Sequence, residues 1–321
     1  MAKLGEPREA LELSEVPKPE PGTNEVLVRV EAAALNFFDI LQCQGKYQEE
    51  PPLPFTPGAE VAGTIEMAGQ RVDVNIGQRV IATPMLPNGG LAEWVVVPQD
   101  HVFPIPDAFP AAEAGSLFIT YQTAYFALHR TAKLKKAEVL LIHAGSGGVG
   151  SAAIQVGKAM GATVIATAGS DEKLAVCKQL GADIAVNYRE SDFVAIVKEA
   201  TNGKGADVIF DPVGGDTFDR SRKCIAFEGR LLVIGFAGGR IAEAPTNHAL
   251  IKNYSIMGVH FGLFRNLYPE KVMAAHRELM DFYEQGLIRP LVFKEYPFEQ
   301  VPDALEQLGS RRTYGKLVVI P

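Results

Sequence analysis

The chain has 321 residues, 47% of them hydrophobic, and its 31 basic and 38 acidic residues give a net charge of −7. This length predicts two globular domains with sizeable cores. No long run of Lys or Arg appears, so the charge does not imply binding to nucleic acid or to anionic membranes. No apolar run approaches the roughly 18 residues of a membrane span, and the N-terminus lacks a signal-peptide layout. We therefore expect a cytoplasmic protein.

The cysteines and histidines do not form a recognisable ligand set. Cys43, Cys177 and Cys224 are odd in number and far apart, which favours a reducing compartment and packing roles over disulfides. The six histidines are scattered, and no pair has the spacing of metal ligands. The sequence therefore predicts no metal cluster.

The first third of the chain indicates short strands separated by glycine and proline. An alternating apolar run at residues 11–16 predicts a strand that leads into an extended arm. Residues 25–34 read EVLVRVEAAA and predict the clearest strand of this region. Further strands are expected at 61–67, 79–83 and 91–97. Closely spaced strands of this kind predict a barrel-like β domain.

From residue 111 the apolar spacing changes to three and four, which predicts a helix that crosses between domains. Strands and helices alternate after it, which is typical of a doubly wound parallel sheet. Six strands are expected, near residues 138–144, 163–168, 183–188, 207–212, 230–236 and 255–261.

The C-terminal tail departs from this alternation. It predicts a helix at 269–285, a strand at 292–297, a short helix at 302–308 and a final strand at 316–320. We infer that the tail folds back onto the N-terminal part. The expected architecture is a six-stranded Rossmann domain, residues 116–261, inserted into a split, barrel-like β-rich domain of residues 1–115 and 262–321.

The middle of the chain, Glu138 to Ala162, combines an apolar strand, a glycine-rich turn and an amphipathic helix. In such a turn Gly145 permits the tight bend, Gly147 lets the backbone approach a pyrophosphate, and Gly150 lets the helix pack closely on the strand. Unpaired amides at the helix start then face the anion. This context favours a dinucleotide site over an ordinary loop.

Several segments carry a family resemblance in the family's own order. They are ALNFFDI, PFTPGAEVAG, AGSGGVG, FDPVGGDTF, LLVIGFAGG and GKLVV. Together they resemble the quinone oxidoreductases and zeta-crystallin, in the zinc-independent branch of the medium-chain dehydrogenase/reductase superfamily. The resemblance implies that the β domain is GroES-like. The family usually has an extra strand before GEPREALEL, so the outer edge of this domain is expected to differ.

The resemblance also implies that the enzyme works without zinc. The superfamily's alcohol dehydrogenases have a Cys ligand where this chain has Asn36, and a His ligand where it has Ala59, beside a retained Glu60. A catalytic zinc needs three protein ligands. Lewis-acid activation of the substrate is therefore not expected.

The second strand of the parallel sheet closes without a carboxylate, as residues 166–170 read ATAGS. An NAD-preferring fold usually has Asp or Glu there, and Asp171 is interpreted as a helix N-terminal acid. By resemblance to NADPH-dependent quinone reductases, Ser170, Lys173 and Tyr188 hold the 2′-phosphate, with a merely solvated Lys173 as the alternative. We predict NADP (NADPH) as the cofactor.

The resemblance adds contacts near the nicotinamide. The full predicted set of cofactor-binding residues is Asn36, Thr123, Gly145, Ser146, Gly147, Gly148, Val149, Gly169, Ser170, Lys173, Tyr188, Val213, Phe236, Phe261, Gly262 and Lys316. Phe236 and Phe261 follow the fifth and sixth strands, where open sheets bind ligands; hydrophobic packing is an equal alternative. His143, which ends a buried strand, is expected to be packed rather than catalytic.

Hydride transfer to a planar, electron-poor acceptor needs mainly orientation, a dry slot and a hydrogen-bond donor. Tyr47 has the family's spacing from Asp39 and is the candidate donor, with a loop aromatic as the equal alternative. Asn36 is a candidate for orientation because an amide does not titrate, and Asp39 for bracing the loop. These three form the predicted catalytic set.

We therefore predict an NADPH-dependent oxidoreductase that reduces quinones in an interdomain cleft. One alternative is an enoyl or enone reductase, which shares the hydride step. Another is an NADPH-binding protein with little turnover. The family also implies a homodimer that pairs through residues 255–260.

Overall fold

The computed structural model describes residues 1–47 and 51–321, and these residues divide into two compact units. Unit 1 comprises Met1–Ile119 and Pro290–Pro321, and unit 2 comprises Thr120–Arg289. Residues 262–289 therefore belong to unit 2, whereas the sequence prediction assigned them to the β-rich domain, and residues 116–119 belong to unit 1 rather than to the Rossmann domain. Gln122 Nε2 of unit 2, for example, donates to the carbonyl of Val272, 3.1 Å away, which is a tertiary contact that periodicity does not encode.

The first part of unit 1 is mainly antiparallel β-structure. The elements there are α1 (Pro7–Ala10), β1 (Glu25–Ala34), α2 (Phe37–Cys43), β2 (Val61–Ala68), β3 (Arg79–Ala82), β4 (Trp94–Pro98), β5 (Val102–Pro104), α3 (Ala111–Gly115) and α4 (Phe118–Tyr125), the last of which continues into unit 2. β1 pairs with both β2 and β4. Its successive residues Val26, Leu27 and Val28 are all fully buried, so this strand is covered on both faces.

The strand predicted at residues 11–16 is wrong. No strand forms there, and the side chains of Leu13 and Val16 are 63% and 75% exposed. Three prolines follow within this arm, and a proline cannot donate to a strand ladder. Apolar alternation without a partner strand therefore does not produce a sheet here.

Unit 2 contains the predicted parallel sheet. After α4 come a π-helical turn (Phe126–Thr131), β6 (Val139–Ile142), α5 (Gly148–Ala159), β7 (Thr163–Ala168), α6 (Asp171–Gln179), β8 (Ile184–Asn187), α7 (Phe193–Ala200), β9 (Ala206–Asp211), α8 (Gly215–Cys224), β10 (Ile225–Val233), α9 (Thr246–Lys252), β11 (Ser255–Gly258), α10 (Phe261–Leu267) and α11 (Pro269–Glu284). The strand order is β11-β10-β9-β6-β7-β8, with every pair parallel. This order is doubly wound, and its direction reverses between β6 and β9. The predicted six-stranded Rossmann sheet is confirmed.

The tail returns to unit 1 as β12 (Val292–Pro297), α12 (Val301–Gly309) and β13 (Lys316–Ile320). β13 pairs antiparallel with β1, with Ala34 opposite Val318, and parallel with β12. The buried residues Leu317 and Val319 join the same hydrophobic core as Val26 and Val28. The tail therefore completes the sheet that the first part of the chain begins, as expected. None of the described helices combines the length and the apolar content that a membrane crossing requires.

Candidate nucleotide-binding site

The turn between β6 and α5 is built by close backbone packing. A Cβ on Gly150 would lie 2.2 Å from the carbonyl oxygen of Ala144, and a Cβ on Gly145 would lie 2.9 Å from the Cβ of Ala166. These two positions therefore exclude any side chain. A Cβ on Gly147 would meet only the Ala144 oxygen, at 3.3 Å. Open space thus borders the backbone at Gly147, where the sequence predicted the approach of a pyrophosphate.

The start of α5 presents a positive end of the helix dipole. Gly147 is the N-cap residue, and no acidic residue lies in the first turn. The amides of a first helical turn have no carbonyl behind them within the helix, and Gly148 and Val149 occupy this turn. Ser146 is buried beside them at 4% exposure. The arrangement is one that binds anions.

Two cationic residues, Lys173 and Arg189, lie near the end of β7. Ser170 caps α6, where its hydroxyl accepts from the Lys173 amide at 3.4 Å. A Cβ on Gly169 would lie 2.8 Å from the Tyr188 hydroxyl and 3.2 Å from Arg189 Nε, so both of these side chains reach across Gly169. Burial and then the Arg189 charge lower the pKa of Lys173. Ser170 and Tyr188 thus both border Gly169, and the Arg189 charge acts on Lys173.

Sequence reasoning missed Arg189, which brings a second positive charge to this place. The residue directly follows Tyr188 at the end of β8. That adjacency was visible in the sequence. The way the Arg189 side chain folds over Gly169 was not.

The loops after β9 and β10 lie side by side at the carboxyl edge of the sheet. Asp211, 1% exposed, accepts from the amides of Val213 at 2.8 Å and Gly214 at 3.0 Å, and burial raises the pKa of its carboxyl. The Gly238 amide in turn donates to the Val213 carbonyl at 2.9 Å. Phe236 remains 46% exposed. Val213 and Phe236 thus border the region where doubly wound sheets bind ligands.

The remaining predicted residues of unit 2 lie on helices. Thr123 is half-buried on α4, while Phe261 is 6% exposed at the start of α10 and is followed by the exposed Gly262. The Phe261 ring centroid lies 6.3 Å from that of Phe126.

Unit 1 contributes a buried charged cluster of Asn36, Glu60 and Lys316. Antiparallel register brings Lys316, the first residue of β13, opposite Asn36, which follows β1. Lys316 Nζ donates to Asn36 Oδ1 at 2.6 Å and to Glu60 Oε1 at 2.9 Å. Asn36 Nδ2 donates to the same Glu60 oxygen at 3.0 Å, and the Ile119 amide to Glu60 Oε2 at 2.8 Å. Both ends of the Asn36 amide are therefore held by protein partners.

Asp39 braces the start of α2, since its Oδ2 accepts from the Asn36 amide at 2.7 Å. The residue is 1% exposed. Burial raises the pKa of its carboxyl to about 7, opposed by the Asn36 hydrogen bond and the Lys316 charge. Tyr47 is half-buried after α2, with its ring stacked on Phe38 at a centroid distance of 5.3 Å.

His143 and the three cysteines are buried. His143 is 1% exposed, its ring nitrogens lie 3.0 Å from Thr167 Oγ1 and 2.8 Å from Ser221 Oγ, and burial lowers its pKa to about 3. It is therefore a neutral core residue. The three cysteines are free and buried. Among residues 1–47 and 51–321, no three His, Cys, Asp or Glu side chains come together in a way that could hold a metal ion.

The two units define the architecture of a medium-chain dehydrogenase/reductase. Residues 22–107 match the family model described as "Alcohol dehydrogenase GroES-like domain", and residues 148–277 match the model described as "Zinc-binding dehydrogenase".

Similar proteins narrow the family. "Quinone oxidoreductase-like protein 2 homolog" of Nematostella vectensis is 35% identical over 93% of this chain and 82% of its own length. The quinone oxidoreductase of Escherichia coli, solved in complex with NADPH, is 31% identical, with a TM-score of 0.91 over 100% of this chain and 98% of that one. The CurK enoyl reductase structure is 28% identical, with a TM-score of 0.88 over 99% of this chain and 98% of that one. The chain belongs to the quinone oxidoreductase family of this superfamily, as its motifs indicated.

Proposed function

We propose that this protein is an NADPH-dependent oxidoreductase that transfers a hydride to quinones. The observation that carries the proposal is the pair of cations at the end of β7, where Lys173 and Arg189 lie beside Ser170 and Tyr188 without a strand-ending carboxylate. A carboxylate there would accept the ribose hydroxyls of NAD. Two cations instead suit the 2′-phosphate that only NADP carries. The NADPH complex of the similar E. coli enzyme supports the same cofactor.

The remaining cofactor contacts follow the carboxyl edge of the parallel sheet. The amides of Gly148 and Val149 hold the pyrophosphate, with Gly145, Ser146 and Gly147 in the same turn. Lys173 and Tyr188 hold the 2′-phosphate. Val213, Phe236, Phe261, Gly262 and Thr123 surround the nicotinamide end. When bound, NADPH supplies the hydride, and this chain supplies binding and orientation.

Tyr47 of unit 1 is the proposed hydrogen-bond donor to the acceptor. Tyr47 donates its hydroxyl proton in a hydrogen bond to the acceptor oxygen, where negative charge develops. Stacking on Phe38 limits the motion of the Tyr47 ring. Asn36 orients its neighbours and transfers no proton, because Lys316 and Glu60 fix its amide. Asp39 holds the backbone at Asn36.

An enoyl or enone reductase is the second candidate, favoured by the similarity to the CurK enoyl reductase. The decisive experiment measures NADPH oxidation with matched panels of quinones, enones and enoyl thioesters. We expect the highest kcat/KM with quinones. Turnover confined to enoyl thioesters would refute the quinone assignment. Tight NADPH binding with no oxidation across all three panels would favour a binding protein instead.

We also propose a homodimer that forms through β11. This strand lies at the edge of the parallel sheet, and Ile256 is 39% exposed on it. An unpaired edge can pair with its symmetry mate. Light scattering should give twice the chain mass, and Ile256→Lys should shift it towards the monomer. A monomeric mass for the unmodified protein at high concentration would exclude this interface.

A further inference from the structure

Unit 2 contains an aromatic groove that the proposed NADPH contacts do not fill. It has a volume of about 330 Å³ and lies between α4 with the π-helical turn on one side and α10 with α11 on the other. Phe126 and Phe264 stack in it with ring centroids 4.2 Å apart, and Phe261 lines it as well. Small-molecule pockets have volumes of roughly 300–1,000 Å³. The groove therefore suits one small planar molecule.

Positive charge surrounds this aromatic surface. The Arg130 guanidinium lies 4.8 Å from the Phe264 ring centroid, and Lys271 Nζ lies 4.1 Å from that of Tyr268. Lys133 is a third exposed cation on the groove. In the described part of the chain none of the three forms an ion pair with a carboxylate. The lining carboxylate, Glu278, instead accepts from the Tyr125 hydroxyl.

The backbone of one wall has an uncommon geometry. The turn Phe126–Thr131 is π-helical, and such turns inside helices occur frequently at functional sites. Phe126, His129 and Arg130 of this turn all line the groove. The wall thus carries both an aromatic surface and a cation within one turn.

The groove shares one residue with the proposed nicotinamide contacts. Phe261 belongs to that set and also lines the groove. A planar molecule in the groove would therefore contact a residue of the proposed nicotinamide site. That position suits the acceptor.

We propose that this groove selects acceptors that carry an anionic group on a planar ring. The inference rests on the proposed function. The aromatic side chains contact the ring, and Arg130, Lys133 and Lys271 attract the anionic group. A neutral quinone gains only the first of these contacts.

The test compares two acceptors with the same ring system. 1,2-Naphthoquinone-4-sulfonate carries the anion, and 1,2-naphthoquinone does not. The double variant Arg130→Met/Lys271→Met removes two charges and keeps apolar cover over the aromatic residues. We expect it to lower kcat/KM for the sulfonate, relative to the neutral quinone, by roughly five- to tenfold, because each screened surface charge contributes a factor of a few. The quantity compared between proteins is the ratio of kcat/KM for the sulfonate to kcat/KM for the neutral quinone. This comparison cancels the difference in intrinsic reactivity between the two acceptors.

A matched control removes the same net charge elsewhere in unit 2. Lys198→Met/Lys223→Met changes two exposed lysines of α7 and α8, and it should leave the ratio unchanged. Raising the ionic strength should lower the ratio in the unmodified protein and have less effect in the groove variant. Equal ratios for the unmodified protein and the groove variant would overturn the proposal.

A binding measurement separates this inference from the proposed function. Calorimetric titration of the NADPH-loaded protein with 2-naphthalenesulfonate should give an affinity that the groove variant loses by a similar factor. If quinones are reduced but 2-naphthalenesulfonate binds both proteins equally, the groove proposal fails and the proposed function stands. If 2-naphthalenesulfonate binds selectively but neither quinone is reduced, the quinone reductase proposal fails, and with it the groove's role in acceptor selection.

Discussion

The glycine turn of unit 2 and the Asn36–Glu60–Lys316 cluster of unit 1 differ in whether their polar groups have partners within the protein. In the turn, the first amides of α5 have no acceptor within the helix, and open space borders the backbone at Gly147. In the cluster, every charged or amide group has a protein partner, with Glu60 at 0% and Lys316 at 5% exposure. The turn is therefore prepared for an external anion. The cluster already contains its own counter-charge.

The difference shows how to separate binding from stability in this chain. A substitution at the phosphate-binding residues should change cofactor affinity and leave the fold intact. A substitution inside the cluster should change the fold first, because a buried charge without its partner is strongly unfavourable. The four substitutions below test this division in order of expected effect.

Lys316→Met should produce the largest loss of stability. It leaves Glu60 buried without a cation, and breaking a buried ion pair costs about 3–5 kcal/mol. Denaturant unfolding followed by the fluorescence of Trp94 measures this loss in unit 1, because Trp94 of β4 is the chain's one tryptophan. The double variant Glu60→Gln/Lys316→Met should recover much of the stability. A loss below about 1 kcal/mol for Lys316→Met would mean that the cluster does not support the fold as a buried ion pair does.

Tyr47→Phe should reduce turnover without affecting either the fold or NADPH affinity. The substitution keeps the ring that stacks on Phe38 and removes only the hydroxyl. Loss of one donor to a developing oxyanion lowers kcat by roughly 10²-fold. Steady-state kinetics with a quinone and a separate NADPH titration measure the two effects. Unchanged kcat would make Tyr47 a packing residue.

Lys173→Ala should weaken NADPH binding by roughly 10- to 100-fold, the range of a charge-assisted hydrogen bond. NADH lacks the 2′-phosphate, so its affinity should change little. Fluorescence titration with both nucleotides provides the comparison. Lys178→Ala, on the same helix, is the control and should affect neither. An equal loss for NADPH and NADH would rule out the 2′-phosphate role.

Asp39→Asn should change the pH dependence of stability by a smaller amount. Burial raises the pKa of Asp39 from 3.8 to about 7, so between these values the folded protein binds more protons than the unfolded chain. Stability from this group is therefore full below pH about 4, falls as the pH rises, and levels off above about 7. Between pH 5.5 and 7.5 the free energy of unfolding should therefore fall by about 1–2 kcal/mol less in the variant than in the unmodified protein, because one pKa unit corresponds to about 1.4 kcal/mol. Trp94 fluorescence measures both proteins, and identical pH profiles would contradict the burial argument.

The sequence by itself determined the class of this protein. Strand and helix periodicities are local properties, and they predicted the parallel sheet and the tail that returns to the β-rich unit. The glycine-rich turn at residues 145–150 was equally readable, because close packing at Gly145 and Gly150 excludes other residues. Apolar alternation failed at residues 11–16, since a strand also needs a partner.

Only the tertiary structure decided which distant residues meet. Lys316 lies 280 residues from Asn36 in sequence, and the pairing of β13 with β1 sets their 2.6 Å contact. Arg189 reaches Gly169 only because β8 pairs with β7. The aromatic groove likewise requires α10 and α11 to pack against the π-helical turn. Such contacts depend on strand register and helix packing, which no local pattern of residues encodes.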